Sequence, residues 1–338
     1  MRTFFGVDYH KRFSYGTIMG ETGEILKQGR FGNHPESVER FLGEHGGDEC
    51  SAVLEATRNW CVMHDWLEER TGQVTLAHPL KVKAIAEAKV KTDKIDATIL
   101  AHLLRCDLIP AAHVCSPAAR VLKNLLRHRM FLVRLQTMTK NRIHALLDRY
   151  PEIRAQRRAT ELFTKMGLAW MKQAELPTYD RHILDSEVLL LEHLQGQIKQ
   201  PDGWLMQIGK KDLRVERLMS IPGIGKAFAL LLVCEIDDIK RFASPKKLHA
   251  YAGLVPSTYA SGGRTFHGRI TKAGNKDLRW AMVEAVWPAI QKDLELNQTY
   301  HRLAARKGPN PAKVATARRL LTVVYRVLAE NREYRCAA

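Results

Sequence analysis

Thr3-Phe4-Phe5-Gly6-Val7-Asp8 is the stretch whose reading decides the fold of the N-terminal part. A short apolar run that ends on a carboxylate reads as a buried strand. Phe13 to Met19 and Glu24 to Phe31 read as two more, with Glu21-Thr-Gly-Glu24 and Gly32-Asn-His-Pro35 supplying turns. Three strands with no helix between them predict a meander. Beyond it, Glu36 to His45 is helical in period, Ser51 to Leu54 is a buried strand, Trp60 to Arg70 an amphipathic helix and Val74 to Ala77 another strand. The order predicts a mixed α/β domain over residues 1–112.

After Ser116-Pro117 the pattern changes. Ala118 to Arg149 carries Leu122, Leu125, Leu132, Ile143 and Leu146 at helical spacing with Arg and Lys between them, a helix longer than most globular ones. Pro151 ends it. A second helical stretch, Tyr179 to Gln200, contains Val188-Leu-Leu-Leu-Glu-His-Leu194, and Pro201-Asp-Gly203 is expected to interrupt it. The pair fits an antiparallel hairpin, a coiled-coil arm or an ordinary bundle equally well. Residues 113–210 are thus expected to form a long-helix region and 211–338 a mostly helical C-terminal domain.

The 338 residues are 45% hydrophobic and 26% charged, a composition that builds a core and excludes wholesale disorder. The longest apolar run, Ala227 to Cys234, is too short for a membrane span. The start meets Asp8 too early for a signal peptide, so a cytoplasmic protein without a membrane partner is expected. The six cysteines are scattered with no C-x-x-C pair, which argues against a zinc site or a disulfide framework. Net charge is +17, and its distribution is uneven: residues 1–112 carry 14 basic and 16 acidic side chains, residues 113–338 carry 39 and 20. Such an excess matches a polyphosphate partner, so nucleic acid is favoured over an anionic membrane surface.

Three constellations bear on chemistry. Asp8 and Glu55 each close a predicted strand, while Thr92 can cap a helix from which Asp93 and Asp96 project on one face. Four carboxylates brought together raise one another's pKa unless cations neutralise them. Hard oxygen donors in that number suit a pair of Mg²⁺ ions, which stabilise both the attacking and the leaving oxygen of a phosphodiester. Taken singly, each carboxylate reads as a turn, cap or solvated residue; only their conjunction on a basic protein brings the metal reading level with that one. Next, Ser220-Ile-Pro-Gly-Ile-Gly225-Lys226 resembles the helix-hairpin-helix element, in which N–H groups around Gly223 and Gly225 and the Lys226 ammonium meet a DNA phosphate; its alternative is a plain helix–helix turn. Last, Ser261-Gly-Gly263 is followed by Arg264, Arg269, Lys272, Lys276 and Arg279, cations able to stabilise negative charge beside a nucleophilic serine. From spacing alone Ser-Gly-Gly reads as a flexible turn, and only the resemblance given below lifts the serine above that reading. His10, His64, His78, His102 and His267 lack metal-ligand spacing and read as surface, core or phosphate-contacting residues. Trp280 and Trp287 read as one apolar helical face.

The strand and helix order is similar to that of ribonuclease-H-like sheets. In addition, Asp8, Glu55-Ala-Thr57, Lys91-Thr-Asp-Lys-Ile-Asp-Ala97, Ile221-Pro-Gly-Ile-Gly225, Ala252-Gly-Leu-Val-Pro256, Ser261-Gly-Gly263 and Ile270-Thr-Lys-Ala-Gly-Asn275 occur in that order. Together they resemble the DEDD transposases of bacterial insertion sequences, the "IS one-ten / IS eleven-eleven" group, across nearly the whole chain. The resemblance implies a RuvC-like domain with its metal site at Asp8, Glu55, Asp93 and Asp96, and a helical region that mediates homo-oligomer assembly as a dimer or tetramer. It implies a C-terminal transposase domain with Ser261 as the nucleophile that attacks a DNA phosphate, the metal site being completed by another protomer's serine. It further implies joining of donor and target DNA under the direction of a bridge, or seeker, guide RNA. Arg58 stands where the family often has Gly. Two other readings fit the same residues: a metal-only junction resolvase or nuclease, and a non-catalytic nucleic-acid-binding protein.

Overall fold

The computed structural model describes residues 1–86, 92–155, 161–261 and 263–336, leaving aside the side chains of Ala260 and His267. The chain divides into two compact units, Met1–Val114 and Cys115–Ala338.

In the first unit the expected meander is present as β1 (Thr3–Tyr9), β2 (Phe13–Met19) and β3 (Ile25–Gly32), followed by α1 (Pro35–Leu42), β4 (Gly47–Glu55), α2 (Trp60–Glu68), β5 (Thr71–Ala77), α3 (Pro79–Ile85) and α4 (Asp93–Arg105). The five strands form one mixed sheet in the order β3-β2-β1-β4-β5. β1 runs antiparallel to β2 and parallel to β4, and β4 runs parallel to β5. This is the ribonuclease-H-like arrangement that the order of elements predicts, with β1 at its centre.

Strand alternation sends β1 side chains to two different layers. Phe5 and Val7 join Phe31, Phe41, Leu54, Met63 and Leu67 in the core under α1 and α2. On the opposite face Phe4 packs against Met19 and Ala101 of α4, and Val53 of β4 packs against Leu100 and Leu103 of the same helix. Between them lies Gly6, where α4 rests on bare backbone: a Cβ there would collide with the Ala97 carbonyl oxygen and sit 2.6 Å from the Ala101 amide nitrogen. Neither neighbour can yield, because both are helix backbone.

The second unit opens with the two long helices. These are α5 (Pro117–Leu147) and α8 (Thr178–Gly209), with α6 (Pro151–Ala155) and α7 (Lys165–Gln173) between them. They lie antiparallel, as Arg129 Nε to Asp202 at 2.6 Å and Arg142 Nε to Glu187 at 2.5 Å show. Ile143, Leu147, Leu184 and Leu191 are buried in one seam cluster, Leu132, Leu194 and Ile198 in another. Contrary to expectation, α8 is not interrupted at Pro201-Asp-Gly203. Proline removes one helical hydrogen bond and crowds the preceding turn, but Pro201 is buried, Asp202 is tied to Arg129, and Leu194 and Leu205 fix the helix on either side. Packing outweighs local propensity.

The remaining elements are α9 (Leu213–Met219), α10 (Lys226–Ile236), α11 (Pro245–Tyr251), the hairpin β6 (Pro256–Ser261) and β7 (Arg264–Ile270), α12 (Lys276–Glu284), α13 (Val286–Lys292), α14 (Leu294–Lys307) and α15 (Pro309–Ala329). Apart from the hairpin they share one core, which includes Leu218, Leu232, Leu248, Leu278, Val286, Leu320 and Val324. Trp280 and Trp287 do not share a helix, since α12 ends and α13 begins around Ala285; both are about half exposed. His249 is 5% exposed and its Nε2 pairs with Thr322 Oγ1 at 3.0 Å.

Two outcomes test this packing. Gly6→Val forces α4 off β1 and is expected to cost about 1–3 kcal/mol, read as a lower urea midpoint with an unchanged slope. Burial, helped by the Arg318 charge, pushes His249 down from 6.5 to about 4. A base held neutral in the fold gives stability that is complete above pH 6.5 and is lost as pH falls towards 4, on the order of 3 kcal/mol in all. His249→Leu is expected to flatten the acid limb of a plot of unfolding free energy against pH.

Candidate active site

The site in the first unit is assembled by the contacts that α4 makes with β1 and β4. Asp8 shares the face of β1 that carries Phe4 and Gly6, the face covered by α4. Glu55 follows the Val7↔Leu54 register pair on the neighbouring parallel strand and shares the α4 face with Val53. The two carboxylate-bearing positions therefore sit side by side at the same ends of adjacent strands. Thr92 caps α4 as expected, its Oγ1 accepting the Ile95 N–H at 3.3 Å, and Asp93 and Asp96 occupy the first helical turn. Lys91, the first residue of that motif, lies outside the described residues.

Asp8, His10 and Asp93 meet. His10 Nε2 lies 2.9 Å from Asp8 Oδ2 and 3.3 Å from Asp93 Oδ1, and one donor atom from each of the three lies within 4.8 Å of the others. One cation at ordinary coordination distances of about 2.0–2.6 Å spans such a set, so the donors fit a divalent ion. Burial raises the Asp8 carboxyl above its ordinary 3.8; His10 opposes this, and the charges of Asp96 and Asp93 push it further up. Asp96 therefore lies within electrostatic reach of Asp8. In the turn after Glu55, Arg58 is exposed and the left-handed conformation falls on Asn59 (φ 58°), so the arginine fits its backbone without strain.

Sequence spacing misses His10. It belongs to the β1–β2 turn, and its partners reach it through tertiary structure, Asp93 from 83 positions away.

In the second unit, Ser261 closes a two-stranded hairpin opposite Arg264, next to Gly263 at φ 77°. Gly262 lies outside the described residues. Two-residue glycine links suit such ribbons because they adopt positive φ without steric cost. The strands are exposed, with Tyr259 directly across from Phe266 and Arg264 and Arg269 in solvent. Among the described residues no carboxylate or imidazole hydrogen-bonds the Ser261 hydroxyl.

The remaining basic positions differ in availability. Lys272 and Lys276 are exposed. Arg279 Nη1 donates to the carbonyls of Ala252 and Lys272, 3.0 and 3.1 Å away, and so clamps the loop that follows the hairpin. In the α9–α10 turn, Gly223 (φ 84°) faces the α12–α13 junction, where a Cβ would strike the Ala285 carbonyl oxygen. Gly225 stands at the exposed end of α10 with open space around it, next to Lys226.

A buried carboxylate supports this part. Glu235, 1% exposed, accepts from Arg127 Nη2 at 3.1 Å and from Asn275 Nδ2 at 2.7 Å, with Lys123 Nζ 3.6 Å away. Asn275 caps α12 through the N–H groups of Asp277 and Leu278. Beside the network a cleft of about 450 Å³ is lined by Arg127, Met130, Arg134, Asn275, Lys276 and Asp277. The only hint in the sequence is a charge at the end of the apolar run of α10, which requires a buried partner.

Residues 5–151 match a profile described as "Transposase", and residues 215–302 match one described as "Transposase IS116/IS110/IS902 family". The chain belongs to the IS116/IS110/IS902 transposase family. It is 26% identical over 86% of its length to a transposase for insertion sequence element IS1328 from Yersinia enterocolitica, of which 84% is covered. A transposase for insertion sequence element IS1111A from Coxiella burnetii is 27% identical over 78% of this chain and 73% of its own. A pilin gene-inverting protein from Moraxella bovis is 28% identical over 83% of this chain and 81% of its own. The enzyme class of this family member is that of a DNA transposase or recombinase, and membership implies a divalent metal and DNA substrates. Among the described residues no helix is long and apolar enough to cross a membrane.

Because burial and like charge raise Asp8, its ionisation opposes folding when no cation is bound. This contribution favours folding at low pH and is lost as pH rises through the elevated folded value, the reverse of a salt-bridged carboxylate. In chelator, the thermal midpoint of the first unit is expected to decline over that window. Asp8→Asn is expected to remove the decline, together with any stabilisation by added divalent cation.

Proposed function

We propose that this transposase cuts and rejoins DNA with two separate sets of groups, an Asp8–Glu55–Asp93–Asp96 site for two Mg²⁺ ions and a nucleophilic Ser261. The observation that carries the reading is the meeting of Asp8 and Asp93, from a strand end and a helix start, beside a third carboxylate at Asp96 and at the strand end that bears Glu55. When bound, the ions supply Lewis-acid stabilisation of charge on the phosphodiester oxygens. Asp8, Glu55, Asp93 and Asp96 would hold the ions in place.

Ser261 Oγ attacks phosphorus, one strand oxygen departs as a hydroxyl, and the phosphoserine ester retains the energy needed for rejoining to another strand's hydroxyl. Arg264 and Arg269 stand in solvent along the same ribbon, where they can neutralise the phosphate under attack. Gly225 and Lys226 at the α10 N-terminus and Lys272 and Lys276 extend the contact along the backbone, while Gly223 and Arg279 shape the loops that present them. Sequence choice belongs to a bridge RNA that pairs with donor and target, and the basic excess after residue 112 would serve both RNA and DNA. The protein works in the cytoplasm as a homo-oligomer, dimeric or tetrameric.

A denaturing-gel assay for a covalent protein–DNA adduct tests the reading, using protein expressed with its flanking DNA so that the guide is retained. Wild type is expected to give an Mg²⁺-dependent adduct, and Ser261→Ala and Asp93→Ala each to lose at least 100-fold (~3 kcal/mol of barrier) with DNA binding intact. Mg²⁺-dependent cleavage that is unchanged in Ser261→Ala would make the protein a metal nuclease instead.

A further inference from the structure

The β1–β2 turn places a nitrogen donor among oxygen donors. His10 is held there by more than its charge partners. Its N–H donates to the Phe13 carbonyl at 3.2 Å, its own carbonyl accepts from Asn33 Nδ2 at 2.7 Å, and Asn33 Oδ1 accepts from the Ser14 hydroxyl at 2.7 Å. The imidazole packs on the Phe13 ring at 5.5 Å, and Arg30 lies over that same ring at 4.6 Å. The backbone is thus held on both sides, and the exposed ring, resting on Phe13, places Nε2 between two carboxylates that come from different elements.

We infer that His10 is a ligand of the divalent-cation centre through Nε2, so that one ion is held by Asp8, His10 and Asp93 as a mixed nitrogen–oxygen set. The inference rests on the metal-site reading above and refines its ligand list. With neutral imidazole the two carboxylates balance one dication. Asp96 and Glu55 remain for a second ion or for bound water. The centre then acquires a preference: imidazole favours borderline transition ions, whereas a carboxylate-only site favours hard ions such as Mg²⁺ and Ca²⁺.

The test uses the full chain loaded with substoichiometric Mn²⁺ and pulsed electron paramagnetic resonance, which detects a nitrogen nucleus coordinated to the ion. Wild type is expected to show nitrogen modulation, and His10→Ala to bind Mn²⁺ without it. Because the chain has other histidines, Asp8→Asn serves as the control that empties this site, and circular dichroism verifies that both variants fold. Calorimetric titration should show Co²⁺ affinity falling about tenfold in His10→Ala while Mg²⁺ affinity changes less than about threefold. Mn²⁺ bound in wild type with no nitrogen coupling, or with coupling that survives in His10→Ala, overturns the inference and leaves the carboxylate site standing. Wild type that binds no Mn²⁺, or binds it equally well as Asp8→Asn and Asp93→Ala, overturns the metal reading and this inference together.

Discussion

The contact that the first unit depends on is the one at Gly6, where α4 lies directly on the backbone of β1. Any side chain at that position would hold the helix further out, and its first turn would move with it. Because the helix is also fixed through Val53, Leu100 and Leu103, its N-terminus has one place to be, beside the end of β1. Asp8 does not need to reach for its partners. They are carried to it by a hydrophobic interface several residues away, an arrangement that separates the forces that build the site from the repulsion within it.

Much of this unit is legible in the sequence, because strands with one face towards a core leave a period-two signature and carboxylates at strand ends interrupt it. What sequence cannot show is which distant residue completes the cluster, and His10 is the instance: two positions after Asp8 it resembles an ordinary turn residue until the strand and α4 close on it. In the second unit, the continuity of α8 through Pro201 is hidden because the compensating contacts lie on α5 and in the C-terminal core. The β6–β7 ribbon is hidden for the opposite reason. With both of its faces largely exposed, no alternation of apolar and polar residues betrays it.

Glu235 organises the second unit by a different principle. A charge removed from water at the end of an apolar helix is tolerable only when satisfied, and Lys123, Arg127 and Asn275 do so from sequence separations of 112, 108 and 40 residues. The same Asn275 starts α12. One ionic centre therefore joins the long helix α5, the apolar helix α10 and the segment leading away from the hairpin, and the basic cleft beside it inherits fixed walls from that network.

The hairpin bearing Ser261 is cut off from such supports. Its serine has a positive neighbourhood and no proton acceptor among the described residues. Among the described residues nothing is placed to take the proton of this hydroxyl. As the nucleophile proposed above, Ser261 requires a proton acceptor from outside the described residues.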